Sequence, residues 1–149
     1  MLNFAEFDKK FEKELNFLKR DLAKIERKEV SPGVYDVEIV KLDLTKSKDS
    51  KLPMLVCWFK ILSGDMEGRI VVMKQIIVDA LALHKCNEFL RSISRIPISF
   101  DSFAQYEKLL ADIMNEIQGR REYQLNYSID FRGHSTYRIE NVIILADTL

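Results

Sequence analysis

At Ser31-Pro32-Gly33 the hydrophobic period of the chain changes, and that change limits what it can fold into. Before the break, Phe4, Phe7, Phe11, Leu15, Leu18, Leu22 and Ile25 recur at alternating steps of three and four, the stripe of an amphipathic helix. Proline lacks a donor N–H and clashes with the preceding turn, so the helix must end there. After the break apolar and polar residues alternate, the period of half-buried strands. The chain therefore divides into an N-terminal amphipathic helix over residues 1–30 and a β-rich domain over 31–149. The helical seam fits either of two partners, a second copy in a homodimeric coiled coil or the chain's own β domain.

The first strand spans 34–44. Tyr35, Val37 and Ile39 share one parity, whereas Val40, Leu42 and Leu44 share the other, so a bulge is expected in mid-strand. A polar loop over 45–51 precedes a second strand at 54–61, and Ser63-Gly64-Asp65 turns the chain into a third at 69–77. Residues 78–93 favour helix, with Leu81, His84, Cys86, Phe89, Leu90 and Ile93 as one stripe. Asp101 or Ser102 caps a second helix that runs to Ile117, and Gly119 stops it. Tyr123, Leu125, Tyr127, Ile129 and Phe131 then alternate with polar residues, Arg132 to Ser135 turn, and the last strand covers 137–145. Three strands, a helical insertion and two strands is the order of a five-stranded OB-fold barrel, a mainly β fold with helices of the α+β class.

With 149 residues and 47% of them apolar, the chain can bury one core. Its 23 basic and 23 acidic side chains cancel, so a site for a polyanion has to come from local segregation of charge. No apolar run reaches membrane-spanning length and the first residues lack a signal-peptide pattern, so the expected location is the cytoplasm. Cys57 and Cys86 sit in apolar patterns and are expected as free core thiols. His84 and Cys86 are two apart, which on a helix does not bring them face to face, so no metal is expected. Asp36 and Glu38 share one strand face and read as solvated. No phosphate-cradling glycine loop and no nucleophile–base spacing is present, so neither enzymatic activity nor a cofactor is expected.

OB-folds take oligonucleotides on their second and third strands and with the loops joining strands one to two and four to five. Both loops are basic here: Lys46, Lys48 and Lys51 face a single Asp49 in the first, and Arg132 lies beside His134 in the second. Trp58 shares its parity with Lys60, opposite the apolar Leu55, Cys57, Phe59 and Ile61. An outward indole beside an ammonium suits base stacking and phosphate contact, and an indole in the core is the competing placement. On the third strand Arg69 and Gln75 are assigned to the ligand face, and Lys74, of opposite parity, is a further candidate.

Several runs carry a resemblance: Ser-Pro-Gly-Val-Tyr-Asp-Val-Glu-Ile at 31–39, then Lys51-Leu52-Pro53-Met54-Leu55-Val56-Cys57-Trp58-Phe59-Lys60-Ile61-Leu62-Ser63-Gly64. Glu67-Gly68-Arg69-Ile70, Met73-Lys74-Gln75-Ile76, Asn87-Glu88-Phe89-Leu90-Arg91-Ser92 and Gly133-His134-Ser135-Thr136-Tyr137-Arg138-Ile139 continue it. Together they resemble a family of small phage and prophage proteins of Gram-positive hosts, long catalogued as a domain of unknown function. The resemblance implies a non-catalytic protein that coats single-stranded DNA in phage replication or recombination, acting without a cofactor in the host cytoplasm. Family members often carry asparagine at the position of Lys74 and an aromatic at that of Val72, so the resemblance carries neither stacking nor hydrogen bonding from strand three over to this chain. The closing Ile-Leu-Ala-Asp-Thr-Leu has no acidic tip, and recruitment by such a tail is not expected. The alternative function is a protein-interaction adaptor in a phage replication or recombination complex, with its helix docking a partner and DNA binding weak or absent.

Overall fold

A computed structural model describes residues 30–145. Of the helix expected over residues 1–30, residues 1–29 lie outside the described residues. Among the described residues, those from Pro32 onward form one compact unit. It contains β1 (Gly33–Lys46), β2 (Pro53–Ile61), β3 (Ile70–Ile76), α1 (Ala80–Ile93), α2 (Phe103–Ile117), β4 (Arg121–Ile129) and β5 (Ser135–Ile144). The strands form one antiparallel sheet in the order β3-β2-β1-β4-β5, and both helices fall between β3 and β4. This is a mainly β, α+β architecture.

The long strand β1 serves two neighbours. Gly33 to Val37 pair with β4, and Val37 to Lys46 pair with β2. The register against β2 shifts between Ile39 and Lys41, so the expected bulge exists and Val40 is its extra residue. Val37 and Ile39 are buried before it and Leu42 after it, so the buried parity switches across the bulge. By parity alone Val40 belongs with Leu42 and Leu44. Val40 is instead 37% exposed, because the inserted residue is pushed out of the ladder.

β3 and β5 are the two edges of the sheet, yet the Tyr137 hydroxyl of β5 donates to the Val72 carbonyl of β3 at 3.0 Å. Opposite edges can meet only if the sheet curls. The Tyr137 ring also stacks with Phe59 of β2 at a centroid distance of 6.4 Å. Inside the curl lie Leu55, Cys57, Phe59 and Ile61 of β2, Val71 and Met73 of β3, and Tyr123 and Leu125 of β4. The helices add Cys86, Leu90 and Ile93 from α1 and Tyr106, Leu110, Ile113 and Ile117 from α2.

Each helix starts on a side-chain cap. Asp79 accepts from the Ala82 amide at 2.8 Å, and Ser102, the second of the two expected caps, accepts from Gln105 at 3.1 Å. The buried stripe of α1 begins at Ala82 rather than Leu81. Leu81 is 61% exposed and His84 is also exposed, because a cap at Asp79 starts the helix later than residue 78 and sets its rotation by Ala82, Cys86 and Leu90. Glu116 ties three elements together: it accepts from the Ser94 hydroxyl at the end of α1, from the Arg95 amide at 3.3 Å, and pairs with Arg121 of β4 at 2.6 Å. Among the described residues no helix is long and apolar enough to cross a membrane.

Candidate nucleic-acid interface

The outer face of the sheet is built from cross-strand rows. Lys41, Trp58 and Val72 lie side by side on β1, β2 and β3, with Glu38, Lys60 and Ile70 in one flanking row and Asp43, Val56 and Lys74 in the other. Trp58 is half-buried, neither a core indole nor a free one. Ile70 and Val72 are 38% and 36% exposed and Val56 on the same face is buried, so the indole has an apolar surround that opens to solvent on its β3 side. Three ammonium groups border this strip.

The cation at the indole is Lys41, whose Nζ lies 4.5 Å from the ring centroid and which is not among the residues expected from the sequence. Lys41 reaches this face only because of the bulge: in the register before Val40 it would oppose Cys57 and point toward the core. The parity switch that announced the bulge was thus also the signal for Lys41. Lys60 shares the face, one row away from Trp58.

The third strand requires a correction. Val71 and Met73 are buried, so Gln75, which shares their parity, sits on the inner side of the curl, and Lys74 lies on the Trp58 face. Gln75 is half-buried and its Nε2 donates to the Ile76 carbonyl at 3.0 Å. Arg69 belongs to the hairpin before β3, where its carbonyl accepts from the Ile61 amide. Choosing polar residues on a strand whose parity is set by apolar burial reversed the assignment.

Among the described residues the β4–β5 hairpin holds the most exposed aromatic. The alternation of apolar residues predicts a strand that continues to Phe131, but β4 ends at Ile129 and Asp130 organises a turn. The Asp130 carboxylate accepts from the Arg132 and His134 amides, each at 2.9 Å, and its carbonyl accepts from Gly133 at 3.0 Å. Gly133 takes φ 82°, a left-handed conformation that a side chain disfavours. The turn leaves Phe131 93% exposed at its tip, with the Arg132 guanidinium 5.4 Å from the ring centroid. His134 is exposed on the same turn, 3.7 Å from the Asp130 carboxylate.

Lys46, Lys48 and Lys51 are all exposed on and beside the β1–β2 loop. That loop is pinned by Ser47, whose amide donates to Leu52 and whose carbonyl accepts from Lys51. Lys51 adopts φ 58°, the one positive value among described non-glycine residues. Both basic loops adjoin the C-terminal half of β3: the Pro53 carbonyl accepts from Ile77, and Ser135 lines the same cleft as Lys74 and Gln75. Both cysteines are buried and free. Burial pushes the Cys57 thiol well above its ordinary range and the Cys86 thiol up to about 11.

No family model, curated protein or solved structure matches this chain.

Proposed function

We propose that the domain is an OB-type barrel that binds single-stranded DNA without catalysis, in the manner of phage replication and recombination proteins. The strand order, the helices between β3 and β4, and the Tyr137–Val72 bridge between the sheet edges support the barrel reading. The observation that carries the ligand reading is Phe131, an aromatic ring 93% exposed and flanked by Arg132. An apolar ring in water at a turn tip adds nothing to the core. Beside a cation it offers a base a stacking surface and a phosphate a contact. The Trp58–Val72–Ile70 strip, with Lys41, Lys60 and Lys74 around it, extends the same chemistry across β2 and β3. A ring face reads no base identity, so binding carries little sequence preference.

Trp58 is the only tryptophan and reports on this surface. Titration with oligo-dT is expected to quench its fluorescence saturably. A titration that leaves the emission unchanged while an independent assay shows no bound oligonucleotide contradicts the reading.

A further inference from the structure

The sheet edges β3 and β5 are bridged at Tyr137 and Val72 but are not paired in a ladder. Beside that bridge a cleft of about 300 Å³ opens between the edges and α1. Met73 and Phe89 contribute apolar surface, and Tyr137, Gln75, Lys74 and Lys85 provide a ring, an amide and two ammonium groups. Among the described residues no carboxylate lines it. Lys74 and Lys85 are exposed, and among the described residues neither pairs with an acidic group. The Gln75 amide spends its Nε2 on the neighbouring Ile76 carbonyl, and no described residue donates to its Oε1.

We infer that this seam takes one unstacked base of the bound strand, with Lys74 and Lys85 holding the adjoining phosphate. The inference rests on the single-strand reading above and extends it to a subsite that the stacking platform does not include. The volume lies at the small end of ligand pockets, which suits a single ring system rather than a dinucleotide. Apolar floor, ring edge and an open amide acceptor match a base, which has apolar faces and hydrogen-bonding edges. With no carboxylate among the described lining residues, the two ammonium groups suit a phosphate. Lys74 links the two regions, because it stands on the Trp58 face and also borders the seam.

The test uses the full chain and oligo-dT carrying 4-thiothymidine, with Lys85→Glu as the probe and Lys108→Glu on α2 as the control. Lys85 is exposed on α1, so its charge reversal spares the core. Lys108 lines a different groove, with Asp43 and Glu107. Lys85→Glu is expected to weaken oligo-dT binding about tenfold and to lower the salt slope, whereas Lys108→Glu changes affinity less than about twofold. Photo-crosslinks of the wild type are expected at Phe89 or Tyr137. If the wild type binds but Lys85→Glu matches Lys108→Glu, the seam is overturned and the single-strand reading stands. Crosslinks confined to Trp58 and Phe131 overturn the base assignment even if Lys85 matters. If the wild type does not bind, both fall.

Discussion

Phe131 is the residue whose substitution separates function from folding most cleanly. At 93% exposure it has almost no packing to lose, so Phe131→Ala should move stability by less than about 0.5 kcal/mol. Stacking on one base is worth about 1–3 kcal/mol, so the same variant should bind oligo-dT roughly ten to a hundred times more weakly. Anisotropy of a labelled oligonucleotide checks this, and wild-type affinity in the variant would remove Phe131 from the site. Trp58 is less discriminating, because it is half-buried and covered on one side by Lys41. Phe131 was misread as strand because alternation alone does not end a strand. The stop was present in Asp130 and Gly133, an acceptor and a left-handed glycine three residues apart, which together define a turn.

Among the elements, β1 was legible down to its bulge, because burying Ile39 and Leu42 on one side of the sheet requires an odd residue between them. The rotation of α1 was not legible. Leu81 and Ala82 compete for the inward position, and the Asp79 cap together with packing on Cys86 and Leu90 decides for the smaller side chain. The joint between helices and sheet was also invisible, since Ser94, Glu116 and Arg121 meet only in three dimensions. Burial raises the Glu116 carboxyl, but the Ser94 hydroxyl, the Arg95 amide and Arg121 outweigh it and hold the group below its ordinary value of 4.5. A lowered folded value means that the joint contributes fully above about pH 4.5 and is lost as pH falls through the folded value. Glu116→Gln should therefore cost about 1–3 kcal/mol at neutral pH, and the gap to wild type should close on acidification. Urea melts at about pH 7 and pH 3 measure it. An equal gap at both values would show that the carboxylate's charge is not what binds the three elements.

For the whole molecule, the order of three strands, two helices and two strands was readable because period and breakers mark each element. The approach of β5 to β3 was not, since no local pattern encodes which edges of a sheet meet. That approach creates the seam and brings the two basic loops to the same half of β3. A chain with no net charge gains affinity for a polyanion only where cations are gathered, so binding must respond to salt even though the total charge is zero. If about four cations each neutralise one phosphate, affinity for a single strand should fall roughly fiftyfold between about 50 and 200 mM salt. The decisive measurement is the affinity for oligo-dT and for a duplex of equal length at those two concentrations. Tighter binding to the single strand, weakening steeply with salt, is the expected result. Equal or tighter binding to duplex, or an affinity indifferent to salt, would contradict the account and leave the adaptor function in its place.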